Sequence, residues 1–395
     1  MNGPFKLVAP LVVALGIAAC SGGSDSNSLP AMTGVSSNPT MRILPAAKSL
    51  EGVQVCPNLG PRYGACMSRY VGDSIMPAIA GHVPADYQSA YNLPSATKGA
   101  GQIVAIVDAY DNPNVSSDLA TYRNQFSLGT ANFTKYNQNG QQSNYPTPNQ
   151  NWGLEEDLDV QTVSAVCPKC TIYLVEANSN NTSDLETAEK TAVTLGAHIV
   201  SNSWGCLGSN NCVDPSYFDT PGVEYLASAG DSGYGTQAPA ALASIVSVGG
   251  TVLQKSGSQW TEMAWNGTGS GCATGITKPS WQHDSGCSYR TMNDVSAVAY
   301  FAAEYDSYKY NGWIVVNGTS ISSPLLGGVF GLAGNASSQN AGSKFWTQSR
   351  RKRKHDLHDI TTGKNGTCSP SYLCTAGKGY DGPTGWGTPN GVKAF

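Results

Sequence analysis

The chain has 395 residues, 40% of them hydrophobic, enough for one large domain or two ordinary ones with a sizeable core. Only 13% are charged and the net charge is −4, which excludes the basic surface that nucleic acid requires. The 45 glycines and 22 prolines point to many tight turns.

In chain order, Lys6 precedes an apolar run from Leu7 to Ala19 that is too short to span a bilayer as a mature helix. Ile17-Ala18-Ala19-Cys20 fits a bacterial lipobox, so residues 1–20 are expected to be a lipoprotein-type signal. Lipid on Cys20 would then anchor the chain to a membrane of the cell envelope; an ordinary signal peptide with an incidental Cys would leave it extracellular. The cysteine count agrees with export. Eleven is odd, and without Cys20 the rest fall into local couples: 56/66, 167/170, 206/212, 272/287 and 368/374. Even parity in an exported chain implies disulfides. Cys167-Pro-Lys-Cys170 alone has the redox or zinc spacing, but no second such motif and no nearby His accompanies it.

Residues 21–80 are rich in Ser, Pro and Gly and are expected to be a flexible tether with a small irregular segment. A domain is expected over 84–395, opening at Pro84-Ala85-Asp86-Tyr87. Apolar runs over 102–108, 171–175, 197–201, 223–228 and 244–248 predict buried strands. A helix is predicted from near Thr182, with Leu185, Ala188 and Ala192 on one face. Strands alternating with helices predict an α/β fold, a doubly wound and mostly parallel sheet flanked by helices. Active sites in such sheets sit at the carboxyl ends of the strands. The basic run 350–354 is expected to be a solvated loop.

The chemistry centres on Gly318-Thr319-Ser320. An apolar strand (313–316) leads into it and an apolar helical run (325–332) follows, so Ser320 stands at a helix N-terminus where free amides can stabilise an oxyanion. A nucleophilic Ser needs a base. None of His82, His198, His283, His355 or His358 stands in a His-Gly-Thr motif, and His198 is expected to be packed in a strand. The alternative is a carboxylate. Glu155 and Asp159 are four apart on a predicted helix whose Leu154, Leu158 and Val163 share a face. Stacked like charges hold a proton between them, which raises one apparent pKa. The neighbouring Glu156 and Asp157 read as a solvated face.

Together the segments Glu155-x-x-Leu158-Asp159, Ser201-Asn-Ser203-Trp204-Gly205, Ser228-Ala-Gly230-Asp231-Ser-Gly and Gly318-Thr-Ser320-x-x-x-Pro324 resemble the sedolisin family of serine-carboxyl peptidases. Asp359-Ile360-Thr, Ala376-Gly377-Lys-Gly379-Tyr-Asp381 and Thr384-Gly-Trp-Gly-Thr-Pro389 extend the resemblance to the C-terminus. It implies a subtilisin-like fold, an endopeptidase active in acid, and one calcium ion in a C-terminal loop region. By the same resemblance Ser320 is the nucleophile, Glu155 the base, Asp159 its orienting partner and Asp231 a protonated oxyanion donor. Ser203, Trp204, Gly205, Ser228 and Gly230 would bind substrate. Asp359, Asp381 and the carbonyls of Ile360, Gly377 and Gly379 would hold the calcium, an ion that wants hard oxygen ligands. Asp108 ends a strand and is read as structural or supporting. The expected partners are protein or peptide substrates met by a monomer. The family usually carries a long folded propeptide, whereas here about sixty residues separate Cys20 from the expected domain start. Rival readings are a catalytically silent surface adhesin on the same scaffold, and an esterase or amidase.

Overall fold

The structure is a computed structural model that describes residues 51–73, 79–338 and 342–395. Cys20 and the expected signal and tether up to residue 50 lie outside the described residues.

An eight-stranded sheet forms the centre. Its order is Gln259–Ala264, Ile245–Ser256, Glu224–Ser228, Ile199–Asn202, Ile103–Ala109, Thr171–Ala177 and Asn132–Asn137, with Val295–Val298 pairing beside Ile245–Ser256. All neighbours are parallel except Gln259–Ala264. The strand Ile103–Ala109 reads Ile-Val-Ala-Ile-Val-Asp-Ala and is buried almost throughout, as a parallel strand covered on both faces must be. The predicted strands and the helix from Thr182 (Thr182–Thr194) are all present.

Two further helices carry the site. Gln150–Val166 is started by Asn149, whose side chain accepts from the backbone N–H of Asn151 at 2.9 Å and Trp152 at 3.2 Å. Thr319–Ala333 begins after Gly318 and ends at Gly334 in the left-handed conformation. Both helices are buried along nearly their whole length. That corrects the reading of Glu156 and Asp157 as a solvated face: both are fully buried. A helix enclosed on all sides has no outer face on which to leave its acids.

Residues 51–73, read in sequence as part of the tether and irregular segment, form short strands joined to the rest. Val53–Gln54, Arg69–Asp73, Gly312–Asn317 and Ala302–Asp306 make an antiparallel four-stranded sheet, and Ala65–Cys66 pairs with Trp204–Gly205. All five cysteine couples are disulfides: Cys56–Cys66, Cys167–Cys170, Cys206–Cys212, Cys272–Cys287 and Cys368–Cys374.

Two local readings change. The basic run is the helix Arg350–Asp356, not a loop: Ser349 caps it, and the Arg353 guanidinium lies 3.8 Å from the Trp386 ring centroid, where cation–π attraction holds it. His198 is exposed just ahead of its strand, its Nδ1 hydrogen-bonded to the Gly222 carbonyl at 2.9 Å, rather than packed in the core. Among the described residues no helix is long and apolar enough to cross a membrane.

Candidate active site

Ser320 occupies the first turn of Thr319–Ala333 and is fully buried. Its Oγ donates to the Ser203 carbonyl at a long 3.3 Å. The turn that aims it requires glycine. Gly318 has φ of +140°, and a Cβ there would collide with the Met67 carbonyl and an Asp231 carboxyl oxygen.

Glu155 and Asp159 project from one face of Gln150–Val166, and Asp108, at the end of the central strand, meets them. All three are fully buried. Burial raises the Glu155 pKa well above the usual range; Asp108 raises it further, and the Ser320 and Ser68 hydroxyls beside the carboxyl pull it down. Burial, then Asp108 and Glu155, raise Asp159, whose Oδ1 accepts from Ser203 Oγ at 2.8 Å. Asp108 is pushed to about 8 by burial. Both oxygens of Asp108 and Glu155 and one of Asp159 have no hydrogen-bond donor among the described residues. Three adjacent carboxyls without a cation between them hold shared protons, and the set can release and retake one.

Asp231 meets the turn that carries Ser320. Its Oδ1 accepts from the Thr319 N–H at 2.8 Å and the Thr319 hydroxyl at 2.9 Å, while its buried Oδ2 has no donor among the described residues. Burial pushes its pKa up to about 7, so below neutrality Oδ2 carries a proton available to an oxygen in front of it. Thr319 is itself fixed from behind: its carbonyl accepts from Ser228 Oγ at 2.8 Å and its hydroxyl from Gly230 N–H at 3.1 Å. Of the five expected substrate-binding residues, Ser228 and Gly230 therefore brace Thr319. Ser203, Trp204 and Gly205 form an open-edged strand that accepts another strand, and the one it has accepted is Ala65–Cys66.

Gln237 carried no sequence signal. Its amide packs against Gly205 and Gly230, where a Cβ on either glycine would strike it. A cavity of about 290 Å³ lined by Arg69, Asp231, Ser232 and Asn266 opens beside the site.

Of the expected calcium residues, Asp359 and Asp381 both meet the turn that carries Gly377 and Gly379. The Gly379 N–H donates to both Asp359 oxygens at 3.1 and 3.0 Å, and the Gly377 N–H to Asp381 Oδ2 at 2.9 Å. Thr384 donates to Asp381 Oδ1 from its N–H and its hydroxyl, each at 2.9 Å. Burial holds Asp381 at about 7, with Asp359 adding a like charge. Two carboxylates facing one glycine turn suit a hard cation, which would relieve that repulsion. A second acidic group, Asp118, Asp157 and Asp306, has carboxyl oxygens within 4.8 Å of one another; burial raises all three, and each accepts hydrogen bonds within the fold.

No family model matches the chain. It is 29% identical over 353 residues to kumamolisin from Bacillus sp. (strain MN-32), covering 79% of this chain and 62% of that protein. It is 26% identical over 353 residues to sedolisin from Pseudomonas sp. (strain 101), covering 78% and 60%. Xanthomonalisin from Xanthomonas sp. (strain T-22) matches at 27% over 398 residues, covering 80% and 46%. The chain thus spans between about half and three-fifths of the length of the curated relatives it matches. A solved structure of Pseudomonas sedolisin, a serine-carboxyl proteinase complexed with two molecules of pseudo-iodotyrostatin, superposes with a TM-score of 0.68 at 25% identity, covering 79% of this chain and 96% of that one. A psychrophilic protease at 18% identity and TM-score 0.53 shares the fold.

Proposed function

Because the chain belongs to the sedolisin family, we propose that it is an exported, monomeric serine-carboxyl endopeptidase that cleaves protein or peptide chains in acid. The observation that carries this reading is Ser320, buried with its hydroxyl at Glu155, on a turn whose preceding residue Thr319 holds Asp231. Ser320 Oγ attacks the scissile carbonyl while its proton passes to Glu155. Asp159, steadied by Ser203, and Asp108 keep Glu155 basic enough to take it and positioned to return it to the leaving amine. The oxyanion accepts from the Ser320 N–H and from the Asp231 Oδ2 proton. Water then hydrolyses the acyl-enzyme by the reverse path. The substrate backbone pairs with Ser203–Trp204–Gly205.

The sign of the pH dependence follows from Asp231. Its proton is held with a pKa of about 7, so hydrolysis of denatured protein is expected to be strong at acid pH and to fall as pH rises through about 7. A profile that climbs through neutrality would remove Asp231 from this role, and hydrolysis at no pH would favour a silent binding module.

Asp359, Asp381 and the carbonyls of Ile360, Gly377 and Gly379 would hold calcium, which would supply structural cross-linking at a distance from Ser320. A chelator is expected to lower the melting temperature by about 5 °C if the site is normally near saturation. Asp381→Ala should reproduce that loss and remove any further effect of the chelator. An unchanged melting temperature with chelator would eliminate the site.

A further inference from the structure

Arg350, Arg351, Lys352, Arg353 and Lys354 carry +5 in a chain whose net charge is −4, so the remaining residues sum to −9. All five fall in the helix Arg350–Asp356. Arg350, Arg351, Lys352 and Lys354 are exposed, and so is His355. Among the described residues none of those four Arg and Lys side chains pairs with an acid. Like charges three and four residues apart repel on a helix. Arg350 and Arg351 also stand in the first turn, where the helix dipole disfavours cations. The local sequence therefore works against the helix it forms.

The surrounding fold supplies what the local sequence lacks. Arg353 turns inward, where Nη1 donates to the carbonyls of Phe345 at 3.1 Å, Trp346 at 3.2 Å and Gln348, beneath its contact with the Trp386 ring. Ser349 Oγ accepts from the Lys352 N–H at 3.3 Å. At the other end, Asn390 donates from its N–H to the Asp356 carbonyl at 3.1 Å and from Nδ2 to the His355 carbonyl at 2.9 Å. One cation of the five thus seats the helix, and the other four are held outward on it. Lys344 lies close by: burial holds its pKa down at about 8 against the pull of Glu224, and Lys352 adds a like charge.

We infer that the helix Arg350–Asp356 is a docking surface for anionic phospholipid, and that it lays this face of the protein on a membrane. Each Lys or Arg held near an anionic bilayer strengthens binding about fivefold. The −9 of the remaining residues is repelled by the same bilayer, so this helix is the face that approaches it. Phosphodiester headgroups keep their charge in acid, whereas carboxylate polymers lose theirs, so phosphate is the anion that suits this surface there. No aromatic residue stands between the cations, so a single nucleic-acid strand would have nothing to stack on. Lipid on Cys20, expected from the sequence, would keep the chain near such a bilayer without fixing which side meets it. The helix supplies that orientation.

The test is co-sedimentation of the full chain carrying Cys20→Ser, so that no lipid on the protein contributes. Two kinds of vesicle are compared: phosphatidylcholine alone, and phosphatidylcholine mixed with phosphatidylglycerol. The expected result is preference for the mixed vesicles, reversed by high salt, which screens exposed charges. Arg350→Gln, Arg351→Gln, Lys352→Gln and Lys354→Gln combined should weaken that binding at least about a hundredfold. The melting temperature should hold or rise, because the substitutions relieve like-charge repulsion and Gln is a good helix former. The same charge removed elsewhere, by Arg62→Gln, Lys169→Gln, Lys190→Gln and Lys364→Gln at equally exposed positions on other segments, should leave binding within about threefold. Equal weakening by both sets would show that net charge alone acts, and would overturn the inference. Equal binding to the two vesicles, binding to neither, or tighter capture of duplex DNA than of the mixed vesicles would also overturn it. The peptidase reading stands or falls separately from all of these outcomes.

Discussion

Ser320→Ala is expected to reduce peptide hydrolysis by a factor on the order of 10⁴ to 10⁶ while leaving the fold intact. The fold should survive because the hydroxyl makes a long 3.3 Å contact to the Ser203 carbonyl and otherwise faces Glu155, and the N–H that holds the Met67 carbonyl belongs to the backbone. Glu155→Gln should be comparably damaging for a different reason. The amide keeps the shape of the carboxyl but cannot accept the Ser320 proton, and in an interior with Asp108 and Asp159 at hand it also removes one member of the proton-sharing set. Effects within such a set are not additive, so the double variant should be little worse than either single one. Steady-state hydrolysis of a peptide at pH 4, with circular dichroism to confirm folding, decides the matter. Either variant retaining activity within about tenfold of the parent would refute the assignment, since a nucleophile or its base contributes far more than that.

The second large effect is on stability, and it runs opposite to ordinary acid denaturation. Burial raises Asp231 to about 7 and Asp108 and Glu176 to about 8. Glu155, Glu156, Asp157, Asp159, Glu189 and Glu304 are raised well above the usual range, again first by burial. In the unfolded chain all of these ionise near pH 4. Between pH 4 and 7–8 the folded chain therefore binds more protons than the unfolded one, and stability falls as pH rises. Each proton so held costs about 1.4 kcal/mol per pH unit, so Asp231 alone accounts for about 4 kcal/mol between pH 4 and 7. Lys135 offsets little of this: it is the cation beside Glu176, at 3.1 Å, and also pairs with Asp111. Thermal unfolding at pH 4, 5.5 and 7, with calcium constant, should show a steadily falling midpoint. A flat or rising midpoint would mean these carboxyls are ionised in the folded protein.

The central sheet was legible because its strands are short, uninterrupted apolar runs, which is how strands covered on both faces must read. Ser320 was legible because a strand, a glycine and an apolar helix surround it, and Glu155 and Asp159 because four residues bring side chains to one face of a helix. The burial of Glu156 and Asp157 was not legible. A run of Glu-Glu-Asp-Leu-Asp reads as surface by composition, and its enclosure depends on Thr319–Ala333 and on the strands at 103–109 and 302–306, far away in the chain. His198 misled for the converse reason, since an apolar flank hid a strand that starts one residue later. Residues 51–73 offered no periodicity, because their strands span two to five residues and owe their shape to partners near 204 and 314. Gln237 and Met67 lie in no motif, and only their contact gives them meaning.

The two half-cystines of Cys56–Cys66 both precede Met67, in a segment whose short strands depend on partners near 204 and 314. Reduction should therefore let the amides of residues 51–66 exchange with solvent well before those of the central sheet.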